Sequence, residues 1–300
     1  MQTQSTVAQT LACNICEAET PASRCERAWV RCNLRKFRDE RFEMWRCPSC
    51  RSIHAAQEVD LPHYYAGYPI LDIPDQWLLR LLYGNYLRRL RAAGLPKHAK
   101  ILDYGCGSGT LIRYLRSRGY TQAVGYDAYH KDFTDRRPLE ERYDCIISQD
   151  VIEHVDSPRS LLQEFDRLTT PDALIAIGTP DALAIDLQQH EAFVHALHAP
   201  FHRHILAHTA LRERATELGW RVVKYYPTMY RNTLIPMENT RFGLHYMQSF
   251  DDCLDLLNDL PRPPLGFFLQ PATIFYAFFG YFFDRHTDVM FTFRKGERAS

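Results

Sequence analysis

The sequence predicts an α/β fold in which a mostly parallel sheet carries helices on both faces. From about residue 98 onwards, short apolar strand segments alternate with amphipathic helical segments, as expected for parallel strands joined by crossover helices. A glycine-rich loop follows the first of these strands. Six cysteines within the first fifty residues indicate a separate N-terminal module stabilised by a metal ion.

Length and charge limit the functional classes to which the protein can belong. A chain of 300 residues with 46% hydrophobic content can bury one large domain and a small appendage. Lys plus Arg equals Asp plus Glu at 36 each, so no global field favours nucleic acid or an anionic membrane. There is no signal-peptide pattern and no apolar stretch of about 20 residues, so we expect a cytoplasmic protein without a membrane span.

The N-terminal module carries two Cys-x-x-Cys turns that can hold one structural zinc ion tetrahedrally. The expected ligands are Cys13, Cys16, Cys47 and Cys50. A redox role is the alternative interpretation. Cys25, Cys32 and His54 could be substitute ligands, but each stands alone, so we expect the two cysteines to be buried thiols and His54 an ordinary surface residue. Nine basic against four acidic residues between positions 24 and 51 give the one local hint of RNA, although such a face is usually just solvated.

A junction rich in glycine and proline at residues 62–69 separates this module from an amphipathic helix expected between Asp75 and Gly94. The helix should pack on the main domain and close over its ligand. Strands of the main domain are then predicted at Lys100–Tyr104, Ala123–Tyr126, Tyr143–Ser148, Ala173–Gly178, Arg221–Tyr226 and Asp288–Phe293. Helices are predicted at Leu111–Arg118, from Ser157 onwards and at Thr209–Leu218.

The loop after the first strand combines a carboxylate with three glycines, which let the backbone turn sharply beside a ligand. Its residues are Asp103-Tyr104-Gly105-Cys106-Gly107-Ser108-Gly109. Asp103 can accept hydrogen bonds from a cationic amine. Asp127 ends the next strand, where a carboxylate can receive both hydroxyls of a ribose.

These residues resemble the first motif of class I S-adenosylmethionine-dependent methyltransferases, an aspartate followed by Gly-x-Gly-x-Gly. The resemblance implies a Rossmann-like sheet whose last strand is antiparallel, with S-adenosylmethionine as cofactor. It implies cofactor contacts by Asp103, Gly105, Gly107, Gly109, Asp127 and Asp150. A nicotinamide enzyme would need Gly-x-Gly-x-x-Gly, and position 110 is Thr110.

Two clusters at later strand ends offer acid and base groups. Glu153-His154 resembles the Glu-His-Val/Ile-x-x-Pro signature of small-molecule methyltransferases. It is also similar to quinone-precursor O-methyltransferases, which hold a divalent metal with an acid three residues earlier; that acid is Asp150 here rather than glutamate, which counts against a metal. The other interpretations are a structural loop or a general base at His154. His202 and His204 match a Pro-x-x-His-x-His pattern of zinc-ribbon methyltransferases and are further catalytic candidates.

Between those clusters, His190, His195 and His198 are expected on the surface. Residues 231–286 form an insertion with an aromatic stretch, Leu265–Phe283, in which nine of nineteen residues are Phe or Tyr. The stretch packs on the sheet or on a partner subunit in a homo-oligomer, or else forms an apolar lid.

The combination resembles zinc-ribbon methyltransferases of bacterial sugar and natural-product pathways. It implies a zinc ribbon at residues 1–60, a linker and helix at 61–97 and a methyltransferase domain at 98–300. The expected reaction is methyl transfer to a small-molecule or carrier-bound acceptor, with the accepting O, N, S or C atom open. The alternatives are an rRNA base methyltransferase and a non-catalytic S-adenosylmethionine-binding module.

Overall fold

The computed structural model describes residues 10–66, 68, 77–257 and 263–296. The expected helix start at Asp75, and the glycine and second proline of the junction, lie outside these residues. The first helices are α1 (Leu61–Tyr65) and α2 (Trp77–Ala92). Among the described residues, no helix combines the length and apolar character needed to cross a membrane.

The N-terminal module is built from short antiparallel strands that bring the two Cys-x-x-Cys turns together. These are β1 (Thr10–Ala12), β2 (Glu19–Pro21), β3 (Glu26–Arg31), β4 (Arg41–Arg46) and β5 (Ile53–Ala55). Strands β1 and β2 pair with each other, and β3, β4 and β5 pair in sequence order. Each Cys-x-x-Cys turn follows a strand directly, so both turns lie at the same end of the module.

The main domain contains a six-stranded sheet and confirms the predicted alternation. Its strands are β6 (Ile101–Tyr104), β7 (Ala123–Tyr126), β8 (Tyr143–Gln149), β9 (Thr169–Pro180), β11 (Trp220–Tyr226) and β12 (Asp288–Lys295). The spatial order is β11-β12-β9-β8-β6-β7, with β6 to β9 parallel and β12 antiparallel to both neighbours. This is the mostly parallel sheet with an antiparallel last strand that the sequence predicts.

Helices cover both faces of this sheet, and neighbouring residues of a strand contribute to opposite faces. The helices with residues in the cores on these faces are α3 (Thr110–Ser117), α4 (Pro158–Leu168), α5 (Val194–Leu197) and α6 (His208–Glu217). The insertion adds α7 (Thr240–Gln248), α8 (Leu265–Phe268) and α9 (Pro271–Phe279). Leu102 belongs to a core that continues into the N-terminal module, whereas Ile101 belongs to a second core with α2. The module and α2 therefore pack on opposite faces of the main sheet.

The N-terminal module shares a sheet with the main domain. Strand β10 (His204–Ile205) pairs antiparallel with β5, opposing His204 to His54 and giving the order β10-β5-β4-β3. Arg46 is buried at the same junction, where its guanidinium donates to the carbonyls of Ala182 at 2.7 Å and Ile185 at 2.6 Å. The region predicted as a module at residues 1–60 is thus completed by a strand from the main domain.

Candidate active site

A cavity of about 660 Å³ opens where the parallel strands β6, β7 and β8 end. The loops after these strands form one wall of the cavity. Helix α1, the segment around α5 and helix α7 of the insertion contribute other parts of its lining. Ligands in open α/β sheets bind at this position.

The glycine loop between β6 and α3 has the backbone shape that only glycine adopts readily. Gly105 has a φ of 80° and Gly109 a φ of 72°. A Cβ atom on Gly105 would lie 2.2 Å from a methyl carbon of Val151, and one on Gly109 would lie 2.4 Å from the Phe133 ring. Gly105 and Gly107 line the cavity, and Gly109 ends the loop at the start of α3. The predicted cradle is present, with backbone open to a ligand.

Asp127 fixes this loop to the end of β7. One carboxylate oxygen accepts the backbone N–H of Gly107 at 2.8 Å, and the other accepts those of Tyr129 and His130 at 2.8 and 2.9 Å. The side chain lines the cavity, and a carboxylate has about four lone-pair positions, so it retains capacity for a hydroxyl donor. This fits the predicted contact with a ribose.

Asp103 is a buried carboxyl on the cavity wall. Burial and the nearby charge of Asp127 raise the pKa of Asp103 to about 7. A cation placed against it would relieve both penalties. Together with the loop amides, Asp103 and Asp127 fit a ligand that carries a cationic amine and a ribose, as S-adenosylmethionine does.

Asp150 follows β8 with a φ of 54° and lines the cavity. Its carboxylate pairs with Arg231 of the insertion at 2.7 Å. The sequence pattern did not single out Arg231, because Arg231 lies in the insertion, which has no regular periodicity. This pair places the insertion against the cofactor side of the cavity.

Glu153, His154 and His202 converge on one part of the cavity wall, with one donor atom of each lying within 4.8 Å of the others. Glu153 is completely buried, and its Oε2 accepts the Thr179 hydroxyl at 3.0 Å. His202 Nδ1 donates to the Ala196 carbonyl at 2.9 Å, which leaves Nε2 facing Glu153 at 3.9 Å. The two loops that were predicted separately thus form one cluster.

Burial keeps this cluster uncharged. It raises the pKa of Glu153 well above the usual range of a carboxyl group, lowers that of His202 well below its usual value, and lowers that of His154 to about 4. Burial therefore favours the protonated form of the carboxyl group and the neutral form of both imidazoles.

Aromatic side chains and a further histidine complete this part of the wall. His198, expected on the surface, is buried; its Nδ1 donates to Asn33 at 2.7 Å and its Nε2 accepts the Tyr68 hydroxyl at 2.9 Å. The Tyr65 hydroxyl lies 3.1 Å from His154 Nδ1. Tyr65 and Tyr68 belong to the junction predicted at residues 62–69, and only the fold shows that they line the cavity.

His204 lies at the junction with the N-terminal module, and it is absent from the described lining of the cavity. Its Nδ1 lies 2.9 Å from Nδ1 of His54, and its Nε2 lies 3.1 Å from the Asn14 amide nitrogen. The expectation that His54 is a surface residue is wrong: only 2% of it is exposed, and its Nε2 lies 3.2 Å from Cys13 Sγ.

The four predicted cysteine ligands form one cluster whose sulfur atoms lie within 4.8 Å of one another. Cys13 and Cys50 are 3.6 Å apart, and Cys16 and Cys47 are 3.7 Å apart. A zinc ion with Zn–S bonds of about 2.3 Å requires tetrahedral S···S separations of about 3.8 Å. The donor set and spacing therefore fit zinc.

Comparisons with known proteins agree with this geometry. Residues 78–225 match a family model described as a methyltransferase domain. The ribosomal protein L11 methyltransferase of Chromobacterium violaceum is 31% identical over 128 residues, which cover 39% of this chain and 39% of that protein. The chain thus matches well under half the length of this curated relative.

Solved methyltransferase structures are similar at low identity. Coclaurine N-methyltransferase, bound to N-methylheliamine and S-adenosylhomocysteine, is 14% identical with a TM-score of 0.40, covering 76% of this chain and 77% of that one. The N-methyltransferase NodS of Bradyrhizobium japonicum is 13% identical with a TM-score of 0.39, covering 76% and 95%. Residues 78–225, just under half of the chain, therefore match a methyltransferase-domain model, and the sheet order and the glycine loop described above are consistent with that match.

Proposed function

We propose that the protein transfers a methyl group from S-adenosylmethionine to a small-molecule or carrier-bound acceptor. The observation that carries the proposal is that two chemically different groups of residues line one cavity. The glycine loop, Asp103 and Asp127 form one group, and Glu153, His154 and His202 form the other. A cofactor held by the first group would present its methyl group toward the second.

The residues that line the cavity would have different roles in catalysis. The bound cofactor supplies an electrophilic methyl carbon on a sulfonium. The Gly105–Gly109 loop and Asp127 hold its amino-acid and ribose parts, and the aromatic wall formed by Tyr65 and Tyr68 excludes water. His202 or His154, both neutral at physiological pH, would accept the proton that the acceptor releases.

Charge at the site argues against the rRNA alternative. The described lining includes acidic side chains from Asp103, Asp127, Asp150, Glu153, Asp156 and Asp288, against Arg231 and Arg285. In the basic N-terminal segment, Arg27 pairs with Glu43, and Arg31 pairs with Glu191 and Asp252. The basic charges that suggested RNA are thus partly neutralised within the chain, and the described lining offers phosphate groups few cationic partners.

We further propose that Cys13, Cys16, Cys47 and Cys50 hold a structural zinc ion. Thiolate ligands need a reducing compartment, and all nine cysteines are free thiols, which supports a cytoplasmic location. The zinc would hold the two Cys-x-x-Cys turns together at the end of a module whose hydrophobic core continues into that of the main domain.

The insertion supplies both of the roles considered for it, from different segments. Helix α7 lines the cavity through Thr240, Leu244 and Met247 and would act as the lid. The aromatic stretch contributes none of the described lining residues, and Leu269 and Phe282 in it are 75% and 67% exposed. We propose that this stretch forms the contact of a homodimer.

The test is methyl transfer itself, with Gly105→Ala as the inactive variant. Wild-type protein and labelled S-adenosylmethionine, incubated with extracts of small molecules, should give a labelled product that mass spectrometry can identify. Gly105→Ala should lower S-adenosylhomocysteine affinity by at least about 10-fold in calorimetry, because its new methyl group collides with Val151 beside the ligand.

Gly119→Ala is the matched control. Gly119 also has a positive φ, 96°, but a Cβ atom there has no neighbour within 4 Å. It should lose about 1 kcal/mol of folding stability while cofactor affinity and transfer stay unchanged. Equal affinity in the two variants would remove the cofactor assignment, and cofactor binding without any labelled product would favour the non-catalytic module.

A further inference from the structure

The cluster of Glu153, His154 and His202 has a feature that a proton-transfer role does not explain. Glu153 Oε1 is inaccessible to solvent and has no hydrogen-bond partner among the described residues. An unpaired buried carboxyl oxygen is costly, because it has lost its hydration without gaining a donor. His202 Nε2, at 3.9 Å, is too far to supply a hydrogen bond.

The histidines are oriented as metal ligands usually are. His202 Nδ1 donates to the Ala196 carbonyl, so the ring is fixed and the Nε2 lone pair faces Glu153. His154 Nδ1 lies 3.1 Å from the Tyr65 hydroxyl, which holds that ring in the same way and leaves Nε2 as the ligand atom. Such outer bonds fix the tautomer and direction of histidine ligands around metals. Neutral imidazole is the form that binds a metal ion.

We propose that Glu153, His154 and His202 bind a divalent transition-metal ion on the acceptor side of the cavity. Two imidazoles and one carboxylate suit Zn²⁺, Fe²⁺ or Co²⁺ and leave coordination positions open. The donor set differs from the one that the sequence suggested, since Asp150 is paired with Arg231 and His202 comes from a distant loop. The ion would compensate the buried carboxylate and satisfy Oε1.

The position of this ion indicates the class of acceptor, a step that rests on the proposed methyl transfer. With the ion bound, His154 and His202 would be ligands and not the base; the ion would bind an acceptor hydroxyl and lower its pKa, so that the proton passes to solvent as the methyl group is transferred. An alcohol or phenol is the acceptor class that gains from this chemistry. An amine would compete as a ligand through the same lone pair that must attack the methyl carbon.

The experiment is a metal titration of the full-length protein already loaded with zinc. Co²⁺ is the probe, because its visible spectrum separates nitrogen and oxygen ligation from thiolate ligation. Wild-type protein should bind one equivalent of Co²⁺ with d–d bands and without a thiolate charge-transfer band. Glu153→Gln and His202→Ala should each weaken that Co²⁺ binding by more than about 10-fold, since each removes one ligand.

His208→Ala is the matched histidine control, since His208 pairs with Asp181 away from the cluster. It should bind the same equivalent of Co²⁺. Calorimetry with S-adenosylhomocysteine shows that each variant is folded and separates the two proposals. The metal site is overturned if zinc-loaded wild-type protein binds no Co²⁺, or if both cluster variants retain Co²⁺. Either result would count even when methyl transfer persists. Co²⁺ binding without cofactor binding would instead remove the proposed function.

Discussion

Asp103 illustrates how a single buried residue can set the conditions for ligand binding. Its carboxyl faces a cavity that also contains Asp127, so ionisation in the unliganded protein is unfavourable. The folded protein therefore holds a proton that the unfolded chain releases at lower pH. This contribution to folding stability is present below the ordinary carboxyl pKa of 3.8 and is lost as pH rises through about 7.

Cofactor affinity should have the opposite dependence on pH. S-adenosylhomocysteine carries an ammonium group that prefers the ionised carboxylate, so its affinity should increase as pH rises from below to above about 7. Calorimetry across this range is the measurement. Asp103→Asn should bind weakly at every pH, without the rise. A rise of the same size in Asp103→Asn would assign the titration to another group.

Among the elements, the junction between β5 and β10 links the predicted zinc site to the cavity. Cys13 lies 3.2 Å from His54, His54 lies 2.9 Å from His204, and Asn14 bridges His204 to the Asp156 carbonyl. At the start of β10, the backbone N–H groups of residues 203 and 204 both donate to the Glu153 carbonyl. The cysteine cluster is therefore connected by hydrogen bonds to the loop that carries the candidate catalytic groups.

Removing zinc should consequently loosen more than the first sixty residues. Chelation, or replacement of Cys47 by Ser, should raise amide hydrogen exchange in the module and also in residues 150–156 and 202–206. Helices α2 and α3, whose buried residues belong to the second core, serve as the internal reference. Faster exchange confined to residues 10–60 would show that the two regions are uncoupled.

The sequence predicted the regular elements of the main domain well, because strand and helix periods reflect local burial. The strand at Ala123–Tyr126 has the predicted limits, and the others differ by a few residues at their ends. The glycine loop could be predicted equally well, since its carboxylate and its three glycines lie within the seven consecutive residues Asp103–Gly109. The burial of His198 could not be predicted, because it depends on Tyr68 and Asn33, which lie far away in the chain. Strand β10 has only two residues, too few to show an alternating pattern, so its pairing with β5 could not be predicted either.

At the scale of the whole molecule, an exposed apolar surface is concentrated on the insertion. Leu265, Leu269, Phe278, Phe279 and Phe282 all have more than half of their side-chain surface exposed. Between Leu265 and Phe283 the sequence contains no charged residue. A surface of this kind is typical of a subunit contact, and the lack of basic residues makes it a poor match for an anionic membrane.

Phe282→Asp should therefore shift the protein from dimer to monomer. A carboxylate buried in an apolar contact is unfavourable, whereas the same residue in the monomer stays in solvent. Light scattering after size-exclusion chromatography measures the mass of the particle. Leu183→Asp, at an exposed position outside the insertion, should leave that mass unchanged. A wild-type protein of 35.1 kDa at high concentration would contradict the proposed dimer.

The central position of β12 has a consequence for how the protein is made. This strand follows all other strands in the chain, yet it lies between β9 and β11 and pairs with both. During synthesis β9 and β11 therefore remain as open edges until β12 leaves the ribosome. The glycine loop, β6, β7 and β8 can assemble earlier, since their pairing needs no later strand. A nascent chain stalled before residue 288 would thus contain the complete cofactor loop together with two unprotected sheet edges, and we expect it to need a chaperone.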